Sequence, residues 1–132
     1  MTDVSTLTKN DMGIAAVRFL DLAFNRKDVA AAFERYAAAP YTQHNPQVTD
    51  GIDGAKTVLS GLLKKVPGWT YNFKRVLVDG DIVAVHSHVT TAPGDSGMAV
   101  VDLFRINEGK FVEHWDVIQS VPEEHVNANT MF

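Results

Sequence analysis

The sequence predicts an α+β fold, a curled, mostly antiparallel sheet forming a cone or half-barrel packed on three N-terminal helices. Three observations predict it. Apolar residues recur at helical spacing through about residue 66, and from Trp69 onward they alternate with a period of two. Turn residues then punctuate the second half at hairpin length, which makes the strands a meander. Helices first and antiparallel strands afterwards place the helices on one face of the sheet.

The first helix spans residues 11–25, with Thr8 or Asn10 as N-cap. Its polar residues Asp11, Arg18, Asp21 and Asn25 form a narrow stripe, so the apolar remainder is packed over most of the circumference. A second helix starts at Asp28, buries Val29, Ala32, Phe33 and Tyr36, and is ended by Pro40. Tyr41–Pro46 reads as a short extended segment, because a residue before proline is driven from helical geometry. The third helix runs from about Asp53 to Lys65. Val58, Leu59, Leu62, Leu63 and Val66 lie on one face, and Pro67-Gly68 stops it. Strands are predicted at 70–78, 82–91, 97–107 and 110–120, separated by Asp79-Gly80-Asp81, Ala92–Ser96 and Asn107-Glu108-Gly109.

At 132 residues the chain is expected to be one domain, 1–132, with a core at about 10–122 and a short C-terminal tail. No apolar run reaches the ~18 residues of a membrane helix. The segment Met1–Ser5 has neither the basic flank nor the apolar stretch of a secretory signal. Cysteine is absent, which excludes disulfides, thiolate nucleophiles and Cys-ligated zinc and fits a cytoplasmic protein. A net charge of −4 without a basic cluster argues against nucleic acid as partner and leaves a small organic ligand.

His86, His88, Asp102, His114 and Asp116 lie on three consecutive predicted strands, all at even positions. Residues two apart on a strand share a face, so hairpin pairing would converge three imidazoles and two carboxylates on one patch. Such groups are costly to bury unless they satisfy one another. A carboxylate among apolar walls and imidazoles has its proton affinity moved towards neutrality, which suits general acid or base chemistry. The expected catalytic set is Asp116, Asp102 and His86. The expected substrate contacts are His44, Asn45, His88, His114 and Phe104, with His44 and Asn45 near the pocket mouth. The odd positions Val83, Val85, Val89, Val101, Leu103, Phe111, Trp115 and Val117 form an apolar opposite face, which predicts a homodimer across the sheet.

Competing readings remain. The His/Asp set is also what a satisfied structural network in a non-catalytic ligand-binding module contains. His86-x-His88 with His114 and Asp102 also has the composition of a metal-dependent hydrolase or lyase, although no further ligand motif accompanies it, and no metal or cofactor is expected. Ser60-Gly61 and Ser87 lack the context of a nucleophile elbow, and neither a P-loop nor a dinucleotide fingerprint is present.

Tyr41–Pro46, Val83–His88, Val101–Arg105 and Glu113–Val117 are similar to segments of the SnoaL-like proteins. These belong to the cone-shaped superfamily of nuclear transport factor 2, ketosteroid isomerase and scytalone dehydratase. The similarity spans about residues 10–122. It implies a cofactor-free intramolecular aldol condensation with an aspartate as acid/base, and position in the last strand makes that aspartate Asp116. Asp102 occupies the other inward polar position on the preceding strand.

Overall fold

The computed structural model describes residues 3–132; Met1 and Thr2, the start of the segment read for a signal, lie outside them. Helix α1 (Asp11–Leu20) is capped by Asn10, whose side chain accepts from the Met12 and Gly13 N–H groups. The predicted single helix to residue 25 instead changes at Asp21 into a π-helical turn, Asp21–Asn25. Helix α2 (Val29–Tyr36) is capped by Asp28 onto the Ala31 N–H. It ends four residues before Pro40, which lies inside a strand, β1 (Ala37–Gln43), longer than the predicted extended segment. Helix α3 is Gly51–Lys65. The meander follows as β2 (Thr70–Asp79), β3 (Ile82–Thr90), β4 (Met98–Asn107) and β5 (Lys110–Ser120).

The strands form one sheet in the order β1-β5-β4-β3-β2, with β1 parallel to β5 and the other pairs antiparallel. The α+β class holds, with a fifth strand added at the edge. The helices cover its inner face. Phe19 of α1 sits at the centre of the core, edge-on to Phe33, Phe104 and Phe111 at ring-centroid distances of 5.1, 5.5 and 5.3 Å. Burying each such side chain contributes about 1.5–3 kcal/mol.

Register decides which residues face inward. Residues directly opposite on antiparallel strands share a face. On β4 and β5, Asp102 pairs with Asp116 and Phe104 with His114, so even positions face together. On β3 and β4, Val85 pairs with Asp102 and His86 with Val101, so odd positions of β3 share a face with even positions of β4. The predicted alignment of all five even positions is therefore wrong for β3. A one-residue offset moves an entire strand's side chains to the other face. Gly97 helps fix that register. Its φ is 72°, and a Cβ there would lie 2.2 Å from the Val89 carbonyl oxygen.

The predicted apolar odd face divides for the same reason. Val83, Val85 and Val89 turn inward with Val100 and Phe104, and an irregularity at Arg105/Ile106 brings Phe111 in as well. Val101, Leu103, Trp115 and Val117 remain outside.

Candidate active site

The inner face gathers Asp102, His114 and Asp116. Asp102 and His114 are buried and Asp116 nearly so. Asp102 Oδ2 accepts from the Tyr71 hydroxyl at 3.1 Å, and its Oδ1 lies 2.8 Å from His114 Nε2. The other ring nitrogen, Nδ1, is 2.8 Å from Gln43 Oε1. The Asn45 N–H donates to that same Gln43 oxygen at 3.0 Å, so the amide presents its oxygen and His114 Nδ1 carries the hydrogen. Nε2 then shares a proton with Asp102. His114 is thus a fixed, oriented ring, and the nitrogen that can exchange a proton is the one 3.9 Å from Asp116 Oδ2.

Asp116 is held by Asn45, whose Nδ2 lies 3.0 and 2.9 Å from the two carboxylate oxygens. The Asn45 amide has its own anchor, because Oδ1 accepts from the Gln47 N–H at 2.9 Å. This orientation begins in β1. Parallel pairing of Gln43 with His114 and the bond from the His44 N–H to the His114 carbonyl align the strand end with β5. Asp50, at the start of α3, accepts from the Gln43 N–H at 2.8 Å and ties the helix to the same point. Burial raises the Asp116 pKa from its ordinary value of 3.8, and the nearby Asp102 adds to this; the Asn45 bonds and His114 oppose it.

These groups line a cavity of about 50 Å³ whose other walls include Phe19, Phe24, Phe33, Val48 and Leu59. Tyr41 lines it too, and its hydroxyl makes no hydrogen bond among the described residues. Burial, with the Asp102 and Asp116 charges, pushes its pKa far up, so it remains a hydrogen-bond donor. A water needs roughly 10–15 Å³ of such space, so the cavity admits a ligand of only a few non-hydrogen atoms without rearrangement.

The structure brings together only part of the expected set. Asp102, His114, Asp116 and Asn45 meet. Phe104 lies beneath His114, with ring centroids 5.0 Å apart, as core rather than cavity wall. His86 and His88 face outward, for the register reason given above. His86 Nδ1 bonds to the Arg75 guanidinium, and His88 stacks on Phe132 at 4.4 Å. His44 also faces out, because alternation along the strand turns Gln43 and Asn45 inward. It stacks on Trp115 at 4.7 Å and lies 2.6 Å from Glu113 Oε2. Sequence reasoning missed Tyr41, Gln43 and Tyr71. Odd positions on β1 and the start of β2 join the inner face only through a parallel pairing and a β2 irregularity at Phe73/Arg75.

Single ligand atoms of Asp102, His114 and Asp116 lie within 4.8 Å of one another, a spacing open to a cation. The donors around them fit a cation poorly. The Tyr71 hydroxyl points at Asp102 and the Asn45 amide at both Asp116 oxygens, occupying positions a positive ion would need.

A sequence profile of the SnoaL-like domain matches residues 16–114. The chain belongs to the SnoaL-like family. No curated protein sequence matches it. Among solved structures it is similar to a proposed polyketide cyclase of Acidithiobacillus ferrooxidans, at 16% identity over 85% of this chain and 91% of that one, with a TM-score of 0.70. IdmH of Streptomyces antibioticus, also a proposed polyketide cyclase, is 19% identical over 83% and 92%, with a TM-score of 0.68. A SnoaL-like protein of unknown function from Burkholderia thailandensis is 16% identical over 85% and 98%, with a TM-score of 0.71. At these identities the likeness establishes the α+β cone fold. Family membership points to a small-molecule enzyme.

Proposed function

We propose that this SnoaL-like chain carries out cofactor-free acid/base chemistry next to a carbonyl, of the aldol, isomerase or lyase type, with Asp116 as the base. The observation that carries this reading is a nearly buried carboxylate of raised pKa, held by Asn45 in a small, mostly apolar-walled cavity beside an oriented imidazole. Asp116 takes the proton alpha to the carbonyl, and the electron pair of the broken C–H bond moves onto the carbonyl oxygen. Tyr41, a donor with no hydrogen-bond partner among the described residues, and the proton shared by His114 Nε2 and Asp102 stabilise that oxygen as an enolate. Asp116 then returns its proton to the carbon or to a new alkoxide. Asp102 acts through His114, while His86, His88 and His44 have no part in the step.

Deuterium exchange at the alpha carbon of small ketones and aldehydes, followed by NMR in heavy water, tests this. The native chain should accelerate exchange and Asp116→Asn should not. Saturable binding of these probes without exchange would replace the proposal with a non-catalytic ligand-binding module.

The outer face supports an expectation of homodimer formation. Leu77 and Val117 are 65% and 64% exposed, and Val101 and Leu103 lie beside Val117 on the same face. An apolar stretch of this kind is the usual mark of a protein interface.

A further inference from the structure

His86-x-His88, left without a role inside the cone, lies on the outer face beneath the C-terminal tail, residues 121–132. Between the tail and β2–β3 is a cleft of about 610 Å³, within the ~300–1,000 Å³ range of small-molecule sites and far larger than the inner cavity. Lys74, Arg75, His88 and His125 line it, and no aspartate or glutamate does. This concentration of basic groups stands out in a chain of net charge −4. Neither Lys74 nor Arg75 forms an ion pair among the described residues. Lys74 Nζ stands 5.7 Å from the centre of the Phe132 ring, and the Arg75 guanidinium bonds to Nδ1 of His86. Their field is felt nearby: burial first, then Arg75 and Lys74, lower the His86 pKa from 6.5. The cleft also has an apolar wall, from Val121, Met131 and Phe132.

We propose that this cleft is a second binding site, for an organic acid with an apolar or aromatic body. The acid group meets Lys74 and Arg75, and the body lies against Phe132, Met131 and Val121. An anion supplies a counter-charge to two cations that form no ion pair among the described residues. The ring stacked on His88 provides a flat surface, and the tail forms the outer wall.

Anilinonaphthalene sulfonate, an aromatic anion that fluoresces when desolvated, is the probe, with uncharged N-phenylnaphthylamine as its match. Titrated into the full native chain, the sulfonate should bind once per chain and at least about tenfold more tightly than the neutral compound. Charge reversal by Lys74→Glu with Arg75→Glu should weaken it by at least about tenfold. If that variant does not fold, Lys74→Gln with Arg75→Gln should weaken it in the same direction. Phe132→Ala should reduce the fluorescence gain. Amide shift changes should centre on residues 74, 75, 88 and 121–132, leaving Gln43, Asn45 and His114 unmoved. Equal binding of the neutral compound, indifference to both charge variants, shift changes centred on the inner cavity, or no saturable binding would each overturn the proposal. Because the readout is binding outside the cone, its failure leaves the assignment of Asp116 untouched.

Discussion

Glu113 and Asp116 stand three residues apart on β5, one outside the cone and one inside, and their pKa values move in opposite directions. Outside, hydrogen bonds from His44 and Arg105 hold Glu113 below the ordinary carboxylate value. Inside, burial raises Asp116 although Asn45 and His114 favour its charge. Both carboxylates have a histidine near them, at 2.6 Å for Glu113 and 3.9 Å for Asp116. Residue type therefore does not separate a surface ion pair from a candidate base. Access to water does, since water screens and solvates the outer group and is largely excluded from the inner one.

The largest expected effect separates the two faces by activity. Asp116→Asn should slow alpha-proton exchange by about 10²–10⁴-fold, the usual worth of a positioned general base. His86→Ala and His88→Ala should leave the exchange rate unchanged. Loss of exchange in either histidine variant with the fold intact would return the outer face to the chemistry.

A second difference concerns stability. Asp102 is 2% exposed and joins Tyr71 to His114, so Asp102→Ala strands a hydroxyl and a ring nitrogen in the core. Removing one partner of a buried pair costs about 3–5 kcal/mol, to be read from urea unfolding midpoints. Glu113→Ala removes bonds that water replaces and should cost far less. Similar losses for the two would mean that the inner network is as well solvated as the outer one. A third test concerns association. If the outer apolar strip is a homodimer interface, Val117→Asp should convert dimer to monomer in analytical ultracentrifugation without changing the secondary structure. A native chain that sediments as a monomer at tens of micromolar would remove that interface.

How much of this was legible in the sequence follows from where parity is set. The helices, the meander and the even-position alignment of Asp102, His114 and Asp116 could be read, because the tight β4–β5 hairpin keeps its register over most of its length. His86 and His88 could not be placed, because the longer β3–β4 connection sets a pairing of opposite parity that residue spacing does not reveal. His44 and Asn45 lie on a segment whose alternation places only Asn45 inside. Tyr41, Gln43 and Tyr71 carry no sequence signal as a group. They meet through the parallel β1–β5 pairing and the β2 irregularity, both tertiary features. The family resemblance implies Asp116 from its strand position, and the burial that raises its pKa is the support for proposing it as the base.

The smallest effect is a pH dependence whose sign differs between the faces. A carboxyl with a raised folded pKa binds its proton more tightly in the folded chain than in the unfolded one. Ionising Asp116 therefore costs stability, and the loss accumulates as pH rises from the unfolded value near 3.8 through the raised folded value. Glu113 behaves oppositely. Its lowered folded pKa contributes stability above its unfolded value of 4.5, which is lost as pH falls through the folded value. Melting temperatures of Asp116→Asn and the native chain should thus differ least in acid, and the variant should gain on the native chain as pH rises towards neutrality. For Glu113→Gln the native chain should hold the advantage near neutrality and lose it in acid. The two difference curves should slope in opposite directions. If Asp116→Asn instead loses stability relative to the native chain as pH rises, Asp116 is stabilised in its charged form like Glu113, and the contrast from which its role as base is argued disappears.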